Sequence, residues 1–356
     1  MIPLYKPHMP ELPELDSIIR SGNLAFGKYG VEFENILKNF IGNNNLIVTN
    51  TYANALNIAL TSLGIKYGDE ILVSPMACLV SLQPLIAFGI SVKWIDVDPT
   101  YGTISPDSLK KKITKNTKAI IHNHFCGYVG DIDEINYIAK QVGIPVIDDC
   151  IEAFGSEYKG QLMGNVGTDI TIFSFNAVRM PNTIEGGAVV FNNKEVYKRS
   201  LMIRDNGIDR NIFRDEIGEI NPHCDITTVG YNSTMSNVNA YIGIKQMEVI
   251  SELLLKQRLN AYSWDKVFLN DTQNIPINRK DTKPNYWVYG LKVQNKMETL
   301  LKFRKQGYYS SGVHINNNIY SIFKDKAYLP GVKEFSEKFL AIPSGWWIGD
   351  SNGETD

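Results

Sequence analysis

The stretch AIIHNHFCGYVGDIDEINYIAKQVGIPVIDDCIE, residues 119–152, decides the fold. Residues 119–124 read as a strand, 133–141 as a helix, and 145–149 as a second apolar strand that ends in acids. A strand, a helix and a strand in that order indicate parallel α/β winding. The same alternation runs outward on both sides. Before it come strand-like residues 46–48, a helix through 54–63, a strand at 70–74, a helical stretch ending near Phe88, and a strand at 91–96; after it come strands at 168–173 and 186–191. One mostly parallel, seven-stranded sheet with helices on both faces is expected, a size typical of large α/β domains.

From Thr234 to about Tyr262 the chain reads as one long helix, with Ile242, Ile244, Met247, Ile250, Leu253 and Leu254 at roughly helical spacing. Such a helix suits a bridge between two domains. Beyond it, residues 286–293, a helix around 297–306 and a segment at 311–315 indicate a small C-terminal α+β domain. The expected division is 1–240 for a large α/β domain and 241–356 for a small one, shortened because the chain stops soon after the PSGWW motif at 343–347.

Composition narrows the function classes. With 356 residues and 44% hydrophobic content the chain can bury a large core. Its formal net charge of -2 supplies no basic excess for nucleic acid. The four cysteines, Cys78, Cys126, Cys150 and Cys224, form no CxxC pair, which points away from a disulfide framework or zinc site and toward the cytosol. The N-terminus lacks a basic segment followed by an apolar core. The most apolar stretch, 71–92, is interrupted by Pro75, Gln83, Pro84 and serines, so it reads as a buried strand and helix rather than a membrane span. A cytoplasmic protein with neither nucleic-acid nor membrane partners is expected.

In an open parallel sheet, ligands gather beyond the carboxyl ends of the strands. Three strand ends stand out. Thr49 to Asn54 joins a strand to a helix whose first amides are free for an anion, although helix capping accounts for these residues equally well. Val146 to Glu152 ends in Asp148, Asp149 and Glu152. A carboxylate here suits a protonated ring nitrogen, with capping or solvent exposure as the plainer account of any one acid. Phe173 to Gly187 carries Ser174, the single cation Arg179 and a glycine pair; an exposed loop arginine is the plain reading. His124, at a strand end, suits ring stacking or acid–base work, and His314 is similar, but a lone histidine is more often structural. Lys110 to Lys112 form a solvated helix face.

Together these segments closely resemble the DegT/DnrJ/StrS family of pyridoxal-phosphate (PLP)-dependent sugar aminotransferases, whose architecture is that of fold-type-I transferases. The resemblance is nearly chain-long. It runs through IPL (2–4), FE (33–34), GDEILVSP (68–75), DVD (96–98), HFCG (124–127), FGSEYKG (154–160), FSF (173–175), EGG (185–187), GIDR (207–210) and GYNSTMS (230–236). It implies that Asp149 bonds the pyridine nitrogen, that Glu152 stands near the ring oxygen where relatives carry Gln or His, and that Ser174, with Asn176 close by, holds the phosphate. Asn232 would reach the phosphate of a neighbouring subunit, implying a homodimer.

Three departures from the family pattern stand in the sequence. Arg179 occupies the position of the lysine that forms the internal Schiff base, and an always-protonated guanidinium neither forms an aldimine nor acts as a base at neutral pH. Thr51, Tyr52 and Ala53 replace the phosphate-cradling Ser-Gly-Thr. Leu79 stands where a ring-stacking residue is expected. The resemblance therefore implies a sugar aminotransferase homologue of surface-polysaccharide or O-antigen biosynthesis. Its substrates would be a nucleotide-linked keto-sugar and glutamate, with PLP or pyridoxamine phosphate held non-covalently. Two alternatives accompany it: a lysine-less, pyridoxamine-phosphate-dependent dehydratase with His124 as base, or an inactive homologue that binds a sugar nucleotide or partners an active paralogue.

Overall fold

A computed structural model describes residues 1–349. The large domain is built on strands β1 (Leu46–Thr49), β2 (Glu70–Val73), β3 (Ser91–Trp94), β4 (Thr117–Asn123), β5 (Val146–Cys150), a short hairpin of β6 (Glu157–Tyr158) and β7 (Gln161–Leu162), then β8 (Ile170–Ser174) and β9 (Gly187–Phe191). Helices α1 (Leu15–Arg20), α2 (Lys28–Ile41), α3 (Tyr52–Ser62), α4 (Leu79–Ala87), α5 (Pro106–Lys112), α6 (Ile132–Gln141) and α7 (Lys194–Arg204) belong to it. The main sheet has the order β1-β9-β8-β5-β4-β2-β3, and all pairings are parallel except those of β9. All seven strands expected from the sequence are present.

These strands are short apolar runs because helices cover both faces. Alternate residues serve opposite cores: Ile121, Ile147 and Val189 pack with Tyr52 and Leu56 of α3, whereas Val48, Cys150 and Phe173 pack with Phe33 of α2. This period of two later decides which polar side chains meet.

Strand β1 lies at the sheet edge, where unpaired backbone groups need partners. The Glu34 carboxylate accepts the Val48 N–H at 3.0 Å, and Arg204 donates to the Val48 carbonyl at 3.2 Å. Glu34 and Arg204 also pair with each other, and the guanidinium lies 4.5 Å from the Phe26 ring centroid. Both side chains are buried.

The long helix foreseen in the sequence is α8 (Asn237–Phe268), 32 residues capped by the Ser236 hydroxyl, which accepts the Asn239 N–H. Its first half contributes Ala240, Ile244, Met247 and Ile250 to the large-domain core; its end contributes Ala261 and Phe268 to a second core with Tyr289, Leu291 and Leu340. Residue 240 thus lies in the first turn of a helix that both units share. The remaining elements are β10 (Asn274–Pro276), β11 (Thr282–Lys283), β12 (Tyr289–Val293), α9 (Lys296–Lys305), α10 (Pro330–Lys338) and β13 (Phe339–Ile342). A three-stranded sheet β10-β12-β13 forms the small unit, and β11 joins the β6–β7 hairpin. Residues 311–315 form no strand: only Ser311 bridges Ala341, and Val313 turns the chain with φ 62°. The end of the expected small domain, residues 350–356, lies outside the described residues.

Removing Glu34 strands a buried guanidinium and a strand-edge N–H. Glu34→Ala should therefore destabilise the protein by about 3–5 kcal/mol in urea unfolding. A loss under about 1 kcal/mol would show that the pair does not hold β1.

Candidate functional site

The candidate site lies at the C-terminal ends of β4, β5 and β8, where α3 begins. Asp149, fully buried on β5, shares a sheet face with its register partner Asn123 on β4. Its carboxylate accepts three hydrogen bonds: from the Tyr52 hydroxyl at 2.8 Å, the Asn123 amide at 2.8 Å and the Ile151 N–H at 3.1 Å. Burial pushes this carboxyl above its ordinary pKa, and the nearby Ser81 hydroxyl, then Asn123, Tyr52 and the Ile151 N–H, oppose that shift. Tyr52 is the first residue of α3, whose N-cap Thr51 accepts the Asn54 N–H through its hydroxyl. The Tyr52 ring is 4% exposed, and burial together with the Asp149 charge pushes its phenol well above the usual value, so the hydroxyl stays a donor.

Glu152, one turn beyond β5, anchors a second cluster. Its Oε1 meets the Arg179 guanidinium at 3.2 Å and His314 Nε2 at 2.6 Å, while Oε2 accepts the Cys126 N–H at 2.8 Å. Burial alone would raise this carboxyl, but His314 and Arg179 bring it down to about 2. Arg179 is 8% exposed, not the exposed loop cation of the plain reading, and its guanidinium stacks 4.7 Å from the Trp287 ring centroid. His314 and Trp287 both come from beyond α8. Asn285 adds a third tie, donating to the Glu152 and Phe154 carbonyls at 2.7 and 3.0 Å. Gly127 lies under it with φ +87°, and a Cβ there would come within 2.3 Å of the Asn285 side-chain oxygen.

His124 does not belong to this site. Its imidazole is fully buried on the other face of the sheet with His122 and Asp148, 3.2 Å from the Asp148 carboxylate, because side chains alternate along β4 and β5. The role of a base facing a ligand is therefore withdrawn for His124. The trio His122, His124 and Asp148 has metal-like proximity, yet the Gly130 N–H donates to His124 Nδ1 at 3.2 Å. That leaves the ring proton of a neutral His124 on Nε2, facing Asp148, with no lone pair for an ion. Burial lowers the His122 pKa, and hydrogen bonding to the two histidines helps hold Asp148 below the carboxylate range despite its burial.

Ser174 is buried at the end of β8 and accepts the Asn176 N–H at 3.3 Å, and Asn176 bonds Glu185 at 2.7 Å. Ala53 and Leu79, the latter 37% exposed at the start of α4, line an open apolar depression with Tyr231. Asn232 lies beside the start of α3, its carbonyl accepting from Asn50 at 3.2 Å. Asn123, Trp287 and Asn285 were not foreseen as site residues. No local motif marks them, since each reaches the site through strand register or a contact between distant parts of the chain.

A mostly parallel sheet with a buried strand-end aspartate beside a helix N-terminus, completed by a small domain across a long helix, is the build of fold-type-I transferases, the class that works with PLP. Comparison with known proteins narrows the class. Residues 8–349 match the DegT/DnrJ/EryC1/StrS aminotransferase family, and the chain belongs to it. It is 32% identical to the GDP-perosamine synthase of Escherichia coli O157:H7 over 301 residues, covering 82% of this chain and 77% of that one. The UDP-4-amino-4,6-dideoxy-N-acetyl-beta-L-altrosamine transaminase of Campylobacter jejuni subsp. jejuni serotype O:23/36 (strain 81-176) is 33% identical over 276 residues, 77% of this chain and 70% of its own. Among solved structures, the sugar aminotransferase CalS13 from Micromonospora echinospora matches with a TM-score of 0.92 at 28% identity, covering 99% of this chain and 97% of that one. The homologues are sugar aminotransferases, and the family is PLP-dependent.

The residues present here do not fit that cofactor. Its aldehyde form needs an amine to condense with, and both its forms need a carboxylate to receive the ring nitrogen. The loop after β8 offers a guanidinium already held by Glu152, and the Asp149 carboxylate is already bonded by three donors.

Glu152→Gln would leave Arg179 buried without its counter-charge. The Glu152 carboxyl is depressed from 4.5 to about 2 on folding, so its stabilisation is complete above pH 4.5 and lost as pH falls toward 2. We expect the variant to be about 3 kcal/mol less stable than the natural chain at pH 7. That gap should narrow when unfolding is measured at successively lower pH; a gap that stays constant with pH would contradict the ionised pair.

Proposed function

We propose that this chain binds a nucleotide-linked sugar of surface-polysaccharide (O-antigen) synthesis in an aminotransferase framework without performing the transamination itself. The observation that carries the reading is Arg179: at the loop position where the family resemblance expects the Schiff-base lysine, the side chain is a buried guanidinium tied to Glu152 and stacked on Trp287. A permanent cation there neither attacks an aldehyde nor relays a proton at neutral pH. The relatives' names, a GDP-linked sugar synthase and a UDP-linked amino-sugar transaminase, support a sugar nucleotide as the ligand class. The lysine-less dehydratase reading loses its base, because His124 is sealed behind the sheet.

Two measurements test this. Purified protein incubated with PLP and then borohydride should retain no covalently fixed cofactor, and glutamate-dependent amination of a UDP- or GDP-linked keto-sugar should stay at background. Calorimetric titration with GDP-perosamine and with a UDP-linked 4-amino-4,6-dideoxy sugar should show saturable binding of at least one. Turnover by the natural chain, or failure of both sugar nucleotides to bind, would sink the reading.

A further inference from the structure

The fit of the site to its family's cofactor fails at two places, and the second has a structural cause distinct from Arg179. PLP is a flat ring with a phosphate arm on one side and a nitrogen that seeks a carboxylate. The helix N-terminus at Thr51 is the kind of place that takes a phosphate, and Asp149 is the carboxylate that the first residue of that helix reaches. Tyr52 spans the interval. Its backbone forms the first helical residue of α3, its flat ring is buried, and its hydroxyl ends on Asp149 Oδ1 at 2.8 Å.

We propose that Tyr52 is a built-in occupant of the cofactor position: its phenol lies along the track from the α3 N-terminus to Asp149, so the folded chain excludes PLP and its phosphorylated amine form. The hydroxyl satisfies Asp149 as a pyridinium nitrogen would, through one donated hydrogen bond to a buried carboxylate. With Asn123 on Oδ2 and the Ile151 N–H on Oδ1, the carboxylate holds three donors without any ligand. A bulky residue at the first turn also fills the space where backbone must approach a phosphate closely. Arg179, on the β8 loop, is separately held by Glu152 on one side and Trp287 on the other. Exclusion by Tyr52 is independent of the missing lysine, so it deepens the proposed function without depending on which sugar is bound.

The test is equilibrium dialysis and absorbance titration with PLP of the natural chain, Tyr52→Phe, Tyr52→Ala, Arg179→Lys and Tyr52→Ala/Arg179→Lys, each first checked for cooperative melting. A pocket that opens in about 1% of molecules binds about 100-fold more weakly than one that is always open. We therefore expect Tyr52→Ala to bind PLP on the order of 100-fold more tightly than the natural chain. Tyr52→Phe, which keeps the ring and the packing, should exclude PLP as the natural chain does. Arg179→Lys alone should give no borohydride-fixed adduct at position 179 by peptide mapping, whereas the double variant should give one. Tight, non-covalent PLP binding by the natural chain or by Tyr52→Phe would overturn the proposal while leaving the non-transaminating reading intact. So would an adduct in Arg179→Lys with Tyr52 still in place. Turnover by the natural chain would overturn both. Should Tyr52→Ala fail to melt cooperatively, the natural chain, Tyr52→Phe and Arg179→Lys still decide the matter.

Discussion

Three carboxylates within five residues, Asp148, Asp149 and Glu152, are all buried at the end of one strand, and the rest of the site is arranged around that electrostatic demand. A buried charge is tolerated only when partners surround it. Each of the three meets a different set. Asp148 faces the two histidines of β4 on one side of the sheet. Asp149 faces Tyr52 and Asn123 on the other. Glu152, past the strand, is met by Arg179, His314 and a backbone N–H. The partners come from α3, β4, the loop after β8 and the small domain, so the same charges that define the pocket also clamp its walls together.

That arrangement separates fold from chemistry. The architecture is that of a sugar aminotransferase over almost the whole chain, as the match to CalS13 shows. Function, however, resides in particular side chains carried by a fold. In an enzyme that condenses its cofactor with an amine, the pocket must keep an uncharged nucleophile and an unsatisfied carboxylate ready. Here neither requirement is met: the carboxylate already has a phenol, and the loop after β8 carries a cation with its own counter-ion. The bonds that Asp149 and Glu152 already hold leave less electrostatic drive for a cofactor to enter.

The small domain has a structural part in this. His314, Trp287 and Asn285 reach across to Glu152 and Arg179, so the second unit does more than cover the sheet. Gly127 allows that close approach, since a side chain there would collide with Asn285.

Much of this was legible from residues alone. Alternating apolar runs announced all seven strands, periodic apolar residues announced the long helix, and a chain of short motifs carried the family resemblance, because each depends on neighbours close in sequence. Arg179, too, could be read by counting from Ser174. Other features were decided only when the chain folded. His124 and Asn123 are adjacent in sequence, yet the pleat of β4 sends one behind the sheet and the other to Asp149. Tyr52 and Asp149 lie 97 residues apart, and their bond follows from where α3 starts relative to the end of β5. Residues 311–315 have strand-like composition but turn at Val313, while Phe339–Ile342 takes the pairing with β12. The sequence by itself determined the strands of the main sheet, the long helix, the fold class and the arginine in the loop after β8, since these rest on local pattern. Tertiary structure alone decided which side chains fill the pocket, because strand register and the meeting of distant segments are properties of the packed whole.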